Sequence, residues 1–320
     1  MTGLTRRKAA ELIAQYFQTG YVQSVGSSYH IRDPSNRIWK TTYDGSIRKV
    51  NERGRSVNNE NYSVELVSPI CKYEDIETIQ KIVRKLRKEG HAKVNSSCGI
   101  HIHIDGNPHN ARTIRNISNI MYSKEDLIYK ALQVQSQREY NYCKKMEEDY
   151  VDSLNKSKPK SLDRLETIWY LGNSNQTRRY ATRHYDGSRY HALNLHALFE
   201  KGTIEFRMFN GTLHAGEIKS YIQFCLAISH QALIQKRASR MKTHSTNEKY
   251  TFRTWLLRLG MIGDEFKTAR HHLLKHLDGC IAWKDPAQAE AQKERLRAKR
   301  EAQQLEESVQ EVVNDQMQMM

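Results

Sequence analysis

Four short stretches place ionisable or amide side chains at the period of a β-strand. In CGIHIHID, residues 98–105, His101, His103 and Asp105 alternate with Ile100, Ile102 and Ile104, so an extended chain puts the polar groups on one face. In GTIEFRMF, 202–209, Glu205 and Arg207 share a face opposite Ile204, Phe206 and Met208. In YSVELVSP, 62–69, Glu65 is flanked by Val64 and Leu66. In RYHALNLH, 189–196, Asn194 and His196 fall on one side and Leu193 and Leu195 on the other. Imidazoles and carboxylates so placed can bind a cation or move protons, and a guanidinium beside them can hold an anion. Each stretch also has a plainer reading. A lone His-x-His is more often a surface pattern than a ligand pair, and Glu-x-Arg is usually a cross-strand ion pair worth about 0.2–1 kcal/mol. Taken together they indicate a sheet with one packed face and one functional face, because ionisable groups on a half-buried strand must be paired, hydrated or metal-bound.

The elements that would hold these strands can be read from periodicity and punctuation. A basic amphipathic helix begins near Thr5, carries Leu12, Ile13, Tyr16 and Phe17 on one face and stops at Gly20. Strands are expected over 21–25, 29–31 and 39–43, the last leading into the turn Asp44-Gly45-Ser46, then a polar loop to Asn61 and a strand over 62–67. Ile76, Ile79, Val83 and Leu86 recur at helical spacing over 74–89, where Gly90 ends the helix. Residues 110–133 read as a helix in two pieces broken near Ser123, and 135–165 carry no clear period. Strands over 189–198 and 202–209 would be joined by a tight turn at 200–202, followed by an amphipathic helix over 217–236. The segment after Arg237 is basic and helical to Trp283, and a charged helix without a heptad seam starts at Pro286. The expected organisation is one α+β domain over 1–235 and a basic helical region with a charged terminal helix over 236–320.

Composition narrows the function classes. The chain of 320 residues has 51 Lys and Arg against 36 Asp and Glu, a formal charge of +15. Such a field attracts nucleic acid, ATP or another polyanion. Aromatic residues are not interleaved with the basic ones as stacking platforms require, and no helix-turn-helix pattern stands out, which argues against nucleic acid. No apolar run approaches the roughly 20 residues of a membrane span, and the N-terminal segment lacks the apolar core of a secretory signal, so the expected compartment is the cytoplasm. The five cysteines are odd in number and never spaced as CxxC, which points to reduced thiols rather than a disulfide framework or structural zinc. The tail from Ala287 is expected to be a spacer or a homo-oligomer contact.

In order along the chain, WKTTYDGSIR (39–48), VELVSPI (64–70), SSCGIHIHID (96–105), RYHALNL (189–195) and GTIEFRMFNGTL (202–213) resemble the amidoligase family, which groups with glutamine synthetase and glutamate–cysteine ligase among carboxylate–amine ligases. The resemblance covers roughly residues 1–235. It implies a curved antiparallel sheet, helices on its outer face, and ATP and Mg²⁺ on the concave one. It further implies Glu65, His101 and Glu205 as metal ligands, Arg207 at the transferring phosphoryl group, and a catalytic role for Glu205 and Arg207. His103, Arg189 and Asn194 would contact nucleotide or substrate, and Asp44 would lie near the substrate. The implied reaction activates a carboxylate as an acyl phosphate and joins it to an amine, the substrates being amino acids, peptides or cell-wall components, often beside glutamine-amidotransferase-like partners. Family members carry a Phe-Gly-x-Glu-x-Glu strand just before a Thr-Gly-Leu-Thr segment. This sequence opens at Met1-Thr2-Gly3-Leu4-Thr5, and the expectation is that the strand and its two metal-binding carboxylates are absent. Two other readings compete: a catalytically inactive binding or assembly protein of amidoligase descent, and a zinc hydrolase using His-x-His-x-Asp at 101–105, although Gly106 stands where the metallo-β-lactamase pattern has a histidine directly after the Asp.

Overall fold

In the N-terminal segment an apolar stripe has to be covered, and helix α1 (Arg6–Phe17) does so by laying Leu12, Ile13 and Ala14 against a sheet. Thr5 caps it by accepting the Lys8 N–H, and Gln18 in the left-handed conformation ends it two residues before the expected Gly20. The computed structural model describes residues 1–173 and 186–318. Strands β1 (Val22–Val25), β2 (Ser28–Arg32), β3 (Ile38–Thr42) and β4 (Glu65–Val67) form an antiparallel sheet in that order. Helix α2 (Asp75–Lys88) packs Ile82 and Leu86 into the same core as Ile31, Trp39 and Val64. Met1 runs beside the start of β4, its amino group donating to the Val64 carbonyl at 2.7 Å.

The second sheet is smaller and more deeply buried. Strand β5 (Gly99–Asp105) and strand β6 (Leu193–Asn194) flank β7 (Thr203–Asn210), all antiparallel. Helix α3 (Ala111–Leu132) and helix α8 (Ala215–Ile234) pack behind it, with α4 (Ser136–Asn141), α5 (Glu148–Ser157), α6 (Leu162–Asn173) and α7 (His196–Lys201) around its ends. Helices α9 (Glu248–Arg258) and α10 (Lys267–Leu274) extend the same core with Phe252, Trp255, Leu256 and Leu273, and α11 (Pro286–Gln318) projects as a charged helix. Residues beyond 235 therefore share the hydrophobic core of the preceding part. Lys242 reinforces this by donating to the buried Glu125 carboxylate of α3 at 2.5 Å while its ammonium lies 3.8 Å from the centre of the Tyr122 ring. Among the described residues no helix is long and apolar enough to cross a membrane.

The α+β class holds, but the described strands form two small antiparallel sheets. Three local expectations are corrected. Helix α3 runs unbroken through Ser123, whose hydroxyl bonds back to the Ile120 carbonyl at 3.0 Å within an otherwise buried stripe. The expected strand over 189–198 shrinks to two residues, because Asp186 caps a tight helical turn at Gly187–Arg189 and His196 already begins α7. The turn expected at 200–202 is instead the end of α7, closed by Gly202 at φ 70°, a conformation that costs glycine little. Residues 135–165, without a readable period, fold into α4, α5 and the start of α6.

The first sheet is tied to α2 through one guanidinium. Arg37 meets Asp75 at the start of α2 with two parallel bonds of 2.7 and 2.8 Å and Asp33 with a third of 2.8 Å. Asp33 also accepts the Trp39 indole N–H at 3.2 Å and the backbone N–H of Ser35 and Arg37. Burial pushes the Asp33 pKa up, but these donors outweigh it and hold the carboxyl below its ordinary value, as the Arg37 bonds do for Asp75. Depressed carboxyl pKa values contribute stability that is present above the unfolded value near 4 and is lost as pH falls through the folded ones. Asp33→Ala should therefore cost about 3 kcal/mol at neutral pH and flatten the loss of stability below about pH 4, read by urea denaturation across that range. An unchanged acid limb would refute the assignment.

Candidate active site

Alternation along β5 exposes His101 and His103 and leaves Ile102 buried, as the period of two requires. β7 is the central strand and is buried on both faces, so Glu205 and Arg207 are carried into the interior at 3% and 4% exposure. Register then sets the neighbours. Glu205 stands opposite His103 on β5 and opposite Asn194 on β6, a row that crosses all three strands. Pairing then shifts, Ile100 facing Phe209 and Ile102 facing Phe206, so Arg207 and Met208 together oppose His101. This bulge brings Arg207 and His101 to the same carboxylate.

Glu205 is the hub. Arg207 Nη1 donates to Oε1 at 2.7 Å, Asn194 Nδ2 to Oε2 at 2.5 Å, and His101 Nδ1 and His103 Nε2 lie 3.2 and 3.6 Å from Oε1. Burial pushes the carboxyl pKa up, but Arg207, the two imidazoles and the Asn194 bond more than offset it and bring it to about 2. Burial and then the Arg207 charge push His101 down to about 3, and burial lowers His103 as well, so both imidazoles are neutral near pH 7. An ionised carboxylate beside His101 Nδ1 favours the tautomer with its proton on that atom, leaving the Nε2 lone pair free. His103 Nδ1 lies 2.8 Å from the Thr203 hydroxyl.

Arg207 is fixed from several sides. Its Nε donates to the Tyr142 carbonyl at 3.2 Å, and its guanidinium lies 5.8 Å from the centre of the Tyr190 ring. Arg189 approaches the same ring at 5.7 Å and acts electrostatically on His103, which brings it into the same neighbourhood. Arg138 is almost wholly buried and donates to the Arg207 carbonyl at 3.1 Å. Its guanidinium lies flat on Gly99, where a Cβ would collide with it. Tyr142, Tyr190 and Arg138 were not among the candidates from sequence. The first and last lie in the segment without a period, and the only signal for Tyr190 was its place inside the RYHALNL motif.

Glu65 belongs to the other sheet and makes no hydrogen bond with His101 or Glu205. It is nonetheless electrostatically linked to them. Burial raises its pKa most, the Asp44 carboxylate adds to this, and Glu205 contributes in the same sense, while the Met1 ammonium and Arg207 pull it down. Asp44 shapes its own turn by accepting the Ser46 N–H and hydroxyl at 2.9 and 2.7 Å. Among the described residues no group of three or more His, Cys, Asp or Glu side chains closes into a metal-sized cluster. Two polar residues from the alternating strands fall outside the gathering. His196 starts α7 and pairs with the Tyr170 hydroxyl at 2.8 Å, and Asp105 accepts the Asn107 N–H in the turn after β5.

Two outcomes follow from this geometry. Glu205→Gln and Arg207→Met should each destabilise the fold by about 3–5 kcal/mol, because either leaves a buried charge unmatched, and the double variant should lose at least about 2 kcal/mol less than the sum. Additive losses in chemical denaturation would mean that the pair is not coupled. The His101 ring protons should show no titration by NMR between about pH 5 and 8, whereas a midpoint near 6.5 would contradict an imidazole held neutral beside Arg207.

A family model described as "Putative amidoligase enzyme" matches residues 1–229. No curated protein and no solved structure matches. The matched span takes in every strand of both sheets and each residue gathered around Glu205, and it ends inside α8. With well over half of its length covered, this chain belongs to the amidoligase family.

Proposed function

We propose that the protein is an ATP- and Mg²⁺-dependent ligase that joins a carboxylate to an amine through an acyl phosphate. The observation that carries the reading is the buried Glu205–Arg207 pair, set in a row with His101, His103 and Asn194 on one sheet of a chain that belongs to the amidoligase family. In that reaction a carboxylate oxygen takes the γ-phosphoryl group with loss of ADP, and the amine then displaces phosphate to form the amide.

The residues present suit a hard divalent cation. Glu65 is crowded by the negative charge of Asp44 and Glu205, an excess that such an ion would relieve, and carboxylate oxygens are the donors Mg²⁺ prefers. Glu205 and His101 on the smaller sheet and Glu65 on the larger would hold it, a set whose side chains are not drawn into one cluster in this structure, and when bound it would neutralise charge on the phosphate oxygens. Arg207, oriented by Glu205 and the Tyr142 carbonyl, supplies a rigid set of donors to the oxygens of the transferring group. Asn194 has a buried carbonyl oxygen with no hydrogen-bond partner among the described residues, an acceptor suited to a hydroxyl or amine of the nucleotide or substrate. His103 and Arg189 flank it as further nucleotide contacts. Asp44, whose carboxylate acts on Glu65, would hold an incoming ammonium and accept its proton. The acid and the amine are drawn from amino acids, peptides or cell-wall components.

Incubation with ATP, Mg²⁺ and a panel of acids and amines should release phosphate only when both substrates are present. Arg207→Lys should lower kcat by about a hundredfold or more, since a point charge replaces a fixed fork of donors. Chelation with EDTA should abolish turnover and added Mg²⁺ restore it. Phosphate release that needs no amine, or that survives Arg207→Lys at full rate, would defeat the proposal.

A further inference from the structure

The formal charge of +15 is not used up by the sheet site, and part of it lines a cavity elsewhere. Between α2, the start of α8 and α10 lies a cavity of about 380 Å³, within the size range of small-ligand pockets. Arg84 and Arg87 of α2, Lys219 of α8, His272 of α10, and His214 and Gly216 at the start of α8 line it. The nearby acids are already neutralised. Glu217 is paired with Lys275 at 2.6 Å and bonded by the Thr212 hydroxyl, and Glu265 is paired with Lys219 at 2.9 Å. Arg84 and Arg87 have no ion-pair or hydrogen-bond partner among the described residues, although the neighbouring lysines of α2 are paired, Lys81 with Glu77 and Lys85 with Glu89. The wall thus carries two guanidinium charges with nothing opposite them.

Its donors converge as well. His214 accepts the Glu217 N–H through Nδ1, which leaves the imidazole proton on Nε2 when the ring is neutral. His272 packs edge-on against His214 with ring centres 4.9 Å apart, and its buried Nδ1 lies 3.9 Å from Glu217 Oε1, beyond hydrogen-bond reach. Position 216 is open because it is glycine: a Cβ there would come within 3.0 Å of His272 Nε2 and 3.1 Å of the His214 ring. In the first turn of the 20-residue helix α8 the Glu217 N–H is taken by His214, while Ala215 and Gly216, whose N–H groups have no intrahelical acceptor, line the cavity.

The geometry points to a second ligand site in this cavity, one that takes a small soluble molecule through a phosphate or diphosphate group. Two planar guanidinium forks match phosphate oxygens in pairs, as a single ammonium does not, and the helix start and imidazoles add donors from the facing wall. This site draws on none of the residues around Glu205 and stands whether or not the ligase reading does.

The test is calorimetric titration of the full-length protein with inorganic pyrophosphate and with inorganic phosphate, followed by NMR of the histidine imidazoles. Wild-type protein should bind pyrophosphate with shifts at His214 and His272, and Arg84→Gln/Arg87→Gln should weaken binding by about tenfold or more. Both arginines are exposed, so the double variant keeps the fold. His103→Gln, on the exposed face of β5, should leave this binding unchanged, which separates the cavity from the sheet site. Equal affinity in the Arg84/Arg87 variant, loss of binding in His103→Gln alone, or binding without change at His214 and His272 would each overturn the proposal.

Discussion

A carboxylate that is 3% exposed on a central strand cannot stay ionised unless its oxygens are met by donors, and Glu205 imposes that condition on everything around it. Asn194 has to arrive on β6, His103 on β5 and Arg207 two positions along β7, which fixes the register of three strands at once. The bulge opposite His101 serves the same end, since strict pairing would not bring Arg207 and Met208 together against one residue. Arg138 supports the arrangement by holding the Arg207 carbonyl, and position 99 is glycine, whose absent side chain leaves room for that guanidinium.

Charge is divided across the gap between the two sheets. Arg207, Arg189 and Arg138 cluster around the smaller sheet, while Glu65 lies on the larger one with Asp44 in the turn after β3, and the Asp44 carboxylate raises the cost of ionising Glu65. Opposed fields of this kind suit a reaction in which anionic phosphate and carboxylate groups meet a cationic amine, because each finds its counter-charge already in place. Preorganisation also explains why the imidazoles are neutral: a protonated His101 would add a third positive charge beside Arg207 in a poorly hydrated site.

The parts that hold the two sheets in position are themselves polar. Gln80 of α2 donates to the Ala215 carbonyl at 2.9 Å, and Tyr73, Gln223 and Glu265 form a small hydrogen-bonded cluster with Lys219 nearby. The basic cavity lies along this seam. A ligand held there by Arg84 and Arg87 on one side and the start of α8 on the other would touch elements belonging to both halves of the fold.

By itself the sequence determined which residues alternate, and alternation suffices to place His101 with His103 and Glu205 with Arg207, because the period of a strand is set by backbone stereochemistry. It also set the amphipathic stripes of α1, α2 and α8, whose apolar spacing has one way to be buried. Alternation says nothing about which strand lies beside which. The tertiary structure decided that Glu65 sits on a separate sheet, that β6 is only two residues long before His196 enters a helix, and that Tyr142, Tyr190 and Arg138 complete the surroundings of Arg207. These are contacts between residues far apart in the chain, and their partners are chosen by packing and by the need to satisfy buried charge, neither of which leaves a periodic mark on the local sequence.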